Sequence, residues 1–460
     1  MSLGTWFGAD QLLTTLEAAL AGSPADQVEI SATSRVGHHT RFAAERIHQA
    51  QTIIECQVLV RAVVGTGSAR VAVNSLHLVP RAVAEASALA RSRDGLEGAE
   101  VPYDVAAGQI DCDTTGLWVE ATAAWDVGAR SRLAGIVMAA AQQAGGTVNG
   151  TLTAASSELA VVTSRGVRAH GAATEAGFTM TIRFGEASSY IGDLSRDAGT
   201  LNVHQRALAA VDSTAQVHEL VPVPDGVHDV VFGPLAAGEL VGFVPDFGFT
   251  APAVRAGIGL VAQRRGEVVA PDFVTIADDA RAGVGLPFPF DFEGSTKKRV
   301  LLIDRGRVGD AVSDRASAAV SGGVSTGHAS IGREQSPEPA CANLVMAPGV
   351  QSEEELIAGV GHGLYVQRLW YNRLVDAEAG TVVGTSRDAC FLIEDGRRTQ
   401  ALAGGRFNES VIEALRRTDA LSSLCYSQPI PNLWNSCITA PAMRVRGFCF
   451  GTRTRLEEGS

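Results

Sequence analysis

Lysine is nearly missing from this chain. It occurs only at Lys297 and Lys298, and arginine supplies the rest of the 38 basic residues. Against these stand 50 acidic residues, leaving a formal net charge of -12. That balance argues against nucleic acid or an anionic membrane as the main partner. No apolar run approaches the roughly 20 residues needed to span a bilayer. The opening MSLGTWFGADQLL has neither a basic n-region nor a cleavage site, so no signal peptide is expected. The seven cysteines (Cys56, Cys112, Cys341, Cys390, Cys425, Cys437 and Cys449) are odd in number, widely spaced and without a CxxC pair. Free thiols in a reducing cytoplasm are the economical reading. The GxSxG, P-loop and Rossmann signatures are missing too. Gly65-Thr66-Gly67 lacks a third glycine and precedes a strand, which makes it a hairpin turn and not a phosphate cradle.

What is present is ample apolar material. At 460 residues and 46% apolar content the chain can build more than one core, and two domains are expected. The Ala-, Gly- and Val-rich composition with arginine for lysine reads as a GC-rich bacterial genome. In DQLLTTLEAALAG, Leu12, Leu13, Leu16 and Leu20 share a helical face, with Asp10 as the expected N-cap and Gly22 as the stop. QVEISATS alternates as a strand. CQVLVRAVVGTGSARVAVNS reads as a hairpin, and VPRAVAEASALARSR as a helix opening at Pro80. A further helix carries Leu133, Val137 and Ala141, and another Leu201, Leu208 and Val211. Two strands turn at Arg165-Gly166. After about Val227 helix signals thin. IGLVAQRRGEVVA, RVLLIDRGRVGDAV and ACFLIEDGRRTQAL each read as strand, glycine turn, strand. Only SEEELIAGV and NESVIEALRR read as helical there. The expectation is an α+β protein: an N-terminal mixed α/β domain over residues 1–215, then a mostly antiparallel, barrel-like β domain over 216–460.

Candidate chemistry is scattered. His362, flanked by glycines and preceded by Glu353 to Glu355, suggests a fragment of a zinc site. Such sites need two histidines one helical turn apart beside a glutamate. No HExxH or HExxxH occurs among the ten histidines. Glu353 to Glu355 have a structural role in a helix first turn, where Ser352 and Glu355 form a capping box. Asp278, Asp279, Asp291 and Glu293 flank a Gly/Pro-rich loop. They could hold Mg²⁺ or act as acid and base, and they are also residues that loops use. Cys425 and Cys437 could serve as nucleophiles only with a histidine or positive charge nearby.

A set of ordered segments carries a family resemblance. HTRFAAERIHQAQTIIECQVLVRAVVGTGSARVAVNSL, ELAVVTSRGV, HDVVFGPLAAGELVGFV, NLVMAPGVQSEEELIAGVGHGLYV and GTSRDACFLIEDG are similar to the TldD/PmbA (TldD/TldE) family, and the likeness runs along nearly the whole chain. The resemblance implies two kinds of subunit. The TldD kind binds zinc through HExxxH and hydrolyses peptides. The TldE (PmbA) kind has the same fold without the ligands, and the two enclose a peptide-cleaving chamber. The expected position of the zinc helix is Pro234 to Phe249, where Glu239 to Val244 include no histidine. The resemblance therefore implies a TldE-like subunit with no catalytic or metal-ligating residue of its own. Zinc is expected in a TldD-like partner, and a peptide as substrate, in the setting of peptide natural-product maturation. His328 in STGHAS and Arg387-Asp388 in TSRDA are placed near the shared chamber as substrate-binding residues. Two alternatives stand beside this: a stand-alone Cys- or carboxylate-dependent amide hydrolase, and a non-enzymatic adaptor.

Overall fold

A computed structural model describes residues 6–96, 103–110, 113–331 and 337–451. Residues 1–5 and Cys112, on which the leader and thiol readings partly rest, lie outside them.

Six strands form the first sheet: β1 (Gln27–Ala43), β2 (Arg46–Val64), β3 (Gly67–Val73), β4 (Thr147–Thr163), β5 (Arg168–Phe184) and β6 (Ala187–Ser195). Their order is β3-β2-β1-β4-β5-β6, with every pair antiparallel. The helices among them are α1 (Ala9–Ala21), α2 (Val79–Ser92), α3 (Glu120–Ala123), α4 (Val127–Gln143) and α5 (Val203–Ala215). Strand periodicity gives the sheet two faces. Val28, Ile30 and Val60 pack against Leu12 and Leu16 of α1 and Val83 of α2. Further along the same face, Phe178 and Met180 pack against Val137 of α4 and Val211 of α5. The opposite face is apolar at one end only, where Leu159, Val161 and Ala173 meet Phe288, Phe290 and Phe292 of the second half.

The hairpin at Gly65–Gly67 forms as its sequence predicts. Gly65 has φ +53°, and a Cβ on Gly67 would run into the Ala90 carbonyl of α2. The expected N-cap of α1 is displaced. The cap is Gly8, which makes no side-chain bond, and Asp10 sits inside the first turn, where it complements the helix dipole.

The second sheet has twelve strands. Along this half of the chain run β7 (Val221–Pro222), β8 (Gly226–Phe232), β9 (Ile276–Asp278), β10 (Val300–Asp304), β11 (Arg307–Val308), β12 (Ala329–Ile331), β13 (Pro337–Pro339), β14 (Asn343–Met346), β15 (His362–Asp376), β16 (Thr381–Glu394), β17 (Arg397–Ala403), β18 (Arg406–Ser410), β19 (Thr418–Pro429) and β20 (Cys437–Phe450). β12 and β13 pair apart from the main sheet. Most pairs are antiparallel, but β8–β15, β14–β20 and β7–β17 are parallel. β18 joins β16 to β20, the latter through the single pair Phe407↔Phe450. The sheet curls there around Phe232, Phe407, Phe448 and Phe450. β8, β15, β16, β18 and β20 thus pair in a ring that is closed only by this one pair, and the remaining strands run on from it to β11 and β7.

Helices in this half are α6 (Pro234–Val241), α7 (Ala251–Arg255), α8 (Gly259–Arg264), α9 (Arg315–Ser321), α10 (Glu353–Ala358) and α11 (Val411–Arg416). Two of the three expected hairpins form, β10–β11 and β16–β17, each turning through two residues of positive φ (Arg305-Gly306 and Asp395-Gly396). The third, IGLVAQRRGEVVA, is a correction: its first part is α8. A short buried apolar run does not distinguish strand from helix. Gly259, the first residue of α8, has φ +81° and presses so closely on Gly248 that a Cβ would lie 2.6 Å from its Cα.

Candidate functional site

A cleft of about 1040 Å³ opens between the two halves. One wall is β6 with α5. The other is β16 with β17, and the first residues of α6 form the floor. This volume lies at the upper end of small-ligand pockets.

Arg387 and Asp388 are on the β16 wall. Asp388 is buried and fully engaged: its Oδ1 accepts from Ser188 Oγ of β6 at 2.6 Å, and its Oδ2 accepts from Arg368 Nη1 at 3.0 Å. Arg387 contacts the same carboxylate only at 3.8 Å. The two residues sit beside a bulge. Val366 pairs with Cys390 and Arg368 with Arg387, so Asp388 and Ala389 together oppose Gln367. Both adopt left-handed backbone, at φ +53° and +50°. For side-chain-bearing residues this conformation costs roughly 1–2 kcal/mol each. Such strain concentrates at functional sites.

Arg368 lies between two aromatic rings, 3.6 Å from the Tyr190 centroid and 4.3 Å from that of Trp370. Tyr190 also lines a second cavity of about 460 Å³ on the polar sheet face, with Arg41, Gln49, Thr151 and Thr179. The Tyr190–Arg368–Trp370 stack thus stands between the two spaces. At the far end of the cleft, Glu353 accepts from Tyr365 Oη at 3.0 Å, and burial pushes its carboxyl up. Sequence reasoning missed this stack. Its members lie almost 180 positions apart, and alternating strand positions were the only signal.

α6 occupies the expected zinc-helix position and is almost wholly buried. Glu239 is its one carboxylate. It accepts from Asn372 Nδ2 at 2.9 Å, and burial raises its pKa. A Cβ on Gly238 would sit 2.6 Å from Gln428 Nε2, and one on Gly242 2.7 Å from Ile438 Cδ1. A side chain at either position would have to push aside the end of Gln428 or Ile438, and with Glu239 in the glutamate position of HExxxH the two histidine positions are held by Gly238 and Phe243. Among the described residues no three His, Cys, Asp or Glu side chains cluster to hold a metal. The donor set here does not fit zinc.

The remaining candidates are dispersed. His328 lies apart from Arg387 and Asp388: it is 0% exposed, with Nε2 3.0 Å from Asp278 Oδ1 and Nδ1 bonded to Thr326. Asp279 pairs with Arg299 at 3.0 Å. Asp291 accepts from the backbone N–H groups of Glu293, Ser295 and Ala329. His362 is exposed at the start of β15, after the Ser352–Glu355 capping box of α10. Burial pushes the Cys425 thiol up to about 11 and Cys437 to about 12, which keeps both protonated and poor as nucleophiles. Cys449 is buried, with its N–H donated to Glu409.

Residues 225–452, which contain α6, the bulge and the β16 wall, match the PmbA/TldA metallopeptidase C-terminal domain. The C-terminal part of the chain, residues 225–452, thus carries a TldD/PmbA-family domain. The chain is 25% identical over 217 residues to a metalloprotease of Methanocaldococcus jannaschii, covering 47% of this chain and 48% of that one. It is 29% identical over 205 residues to the metalloprotease TldD homolog of Haemophilus influenzae, covering 43% and 41%. The chain therefore spans about half the length of these relatives or less. The crystal structure of TldE from Thermococcus kodakarensis shares the fold, with a TM-score of 0.82 at 20% identity over 96% of this chain and 99% of that one. No helix among the described residues is long and apolar enough to cross a membrane.

Proposed function

We propose that this chain is the metal-free, TldE-like subunit of a heteromeric zinc peptidase of the cytoplasm. Its work is to hold a peptide in the interdomain cleft and complete the chamber around it, in the maturation of a peptide product. Zinc and the water-activating glutamate belong to a TldD-like partner, where a bound zinc lowers the pKa of water and polarises the scissile carbonyl. The observation that supports this reading is α6. In the family position of the ligand helix this chain has glycines packed against Gln428 and Ile438, and no histidine.

The test is metal content and peptidase activity of the purified chain, alone and mixed with a TldD-like subunit of the same organism. The expected result is no zinc and no cleavage alone, with cleavage and zinc on the partner in the mixture. Stoichiometric zinc or activity in the lone chain would overturn it.

A further inference from the structure

We infer that Arg387 is the receptor for a peptide carboxylate, and that Asp388, Arg368 and Trp370 exist at this place to hold it ready. The inference rests on the peptide-holding reading of the cleft and specifies what the peptide must carry.

The corner contains two guanidinium groups, the Asp388 carboxylate and, within electrostatic reach of Arg368, the buried Glu239, which is bonded to Asn372 and whose carboxyl burial pushes up. Asp388 is committed to Arg368 at 3.0 Å and to Ser188 at 2.6 Å, and its contact to Arg387 is a distant 3.8 Å. Arg368 is spent as well, between Asp388 and the rings of Tyr190 and Trp370. That leaves one guanidinium without a close ion pair, on a chain whose net charge is -12. It belongs to Arg387, whose side chain is 49% exposed and lines the cleft. A planar guanidinium with free donors is matched by a carboxylate, which it can bind through two parallel hydrogen bonds.

The backbone beneath Arg387 is fixed on both sides. Ser386 N–H donates to Gly405 O at 2.8 Å, and Gly405 N–H donates to Ser386 Oγ at 2.9 Å. A Cβ on Gly404 would collide with the Ser386 carbonyl, so only glycine lets the turn between β17 and β18 approach this closely. On the other side the left-handed pair Asp388-Ala389 is tied to β6 through Ser188. The Trp370 ring lies 5.7 Å from the Arg387 guanidinium and bounds its movement. A surface arginine has no need of this support, whereas one that must meet a ligand in a set geometry gains from it.

The carboxylate can be a peptide C-terminus or an Asp or Glu side chain. Three probes separate these sources: acetyl-pentaalanine acid, acetyl-pentaalanine amide, and the amide with its central residue replaced by Asp. Each is titrated calorimetrically into the purified chain and into Arg387→Gln, Arg387→Lys and Arg373→Gln. A carboxylate probe should bind about tenfold or more tighter than the neutral amide. Arg387→Gln should abolish that ratio, Arg387→Lys should restore part of it, and Arg373→Gln, outside the cleft, should leave it unchanged. Preference for the acid assigns a C-terminus, and preference for the Asp peptide a side chain. Equal binding of all three probes overturns the carboxylate site and leaves the peptide-holding reading intact. No binding of any probe overturns both.

Discussion

Tyr103 of the N-terminal half donates its hydroxyl proton to Glu293 Oε1 of the C-terminal half at 2.7 Å. The same hydroxyl accepts from Arg70 at 2.6 Å, and the Tyr103 carbonyl accepts from Arg61 at 3.0 Å. The Arg61 guanidinium lies 3.9 Å from the Tyr103 ring centroid. Glu293 Oε2 accepts from Arg315 N at 2.7 Å, so this carboxylate joins two segments of the second half to Tyr103 and, through it, to Arg61 and Arg70 of the first sheet.

Burial, together with the nearby charges of Glu29 and Asp291, raises the Glu293 pKa. The folded protein then keeps a proton over a pH range in which the unfolded chain has lost it. Stability is therefore greatest below the ordinary carboxylate value and falls as pH rises through the folded value. Glu293→Gln, which cannot titrate, should show a shallower decline of Tm from acidic pH through neutrality. Parallel curves for variant and parent would refute this account.

Asp278 and His328 make the opposite prediction. Burial opposes the Asp278 charge, but the charge and hydrogen bond of His328 and the Asn343 N–H outweigh it and hold the carboxyl well below the usual range. Its contribution is present above the ordinary carboxylate value and lost as pH falls toward the folded one. Asp278→Ala strands a buried imidazole and should cost about 3–5 kcal/mol by urea unfolding. His328→Ala should also destabilise without changing the affinity for any of the three peptides. A changed affinity with unchanged Tm would return His328 to the binding site.

Ala389 carries backbone strain with no side-chain bond to offset it. Ala389→Gly should stabilise the protein by about 1 kcal/mol, since glycine adopts positive φ freely. A drop in Tm would mean that the bulge is not strained.

Gly67→Ala places a methyl group against the Ala90 carbonyl and must push β3 away from α2. A loss of about 1–3 kcal/mol is expected. Accelerated amide exchange confined to β3 and α2 would locate the damage, while unchanged exchange there would contradict it.

Short-range features were legible in the sequence. The capping box of Ser352 and Glu355 closes at 3.1 and 2.7 Å, and the glycine turns at Gly65, Gly306 and Gly396 lie where the residues place them. Each depends on neighbours within a few positions. α6 was not readable from periodicity, because a helix buried on nearly every side has no polar face to set a period. It was placed by resemblance alone. Arg387 and Asp388 were picked from a motif, but their chemistry is made by Arg368, 20 positions away, and by Ser188, 200 positions away. Nothing local in TSRDA reports that the aspartate is neutralised and the arginine is not.

The long strands of the first sheet have a mechanical consequence. β1 has 17 residues and is roughly 55 Å long. Helices brace one face along its length. On the other face the second half grips the root through Phe288, Phe290 and Phe292, and holds β6 near the tip through the Ser188–Asp388 bond and the Arg368–Tyr190 contact. Toward the tip that face is bare at Arg41 and Thr179. The sheet is a beam on two supports, with a bare span at Arg41 and Thr179 beside them. A tilt at the root therefore loads the Ser188–Asp388 bond at the cleft wall, so the two supports share the strain.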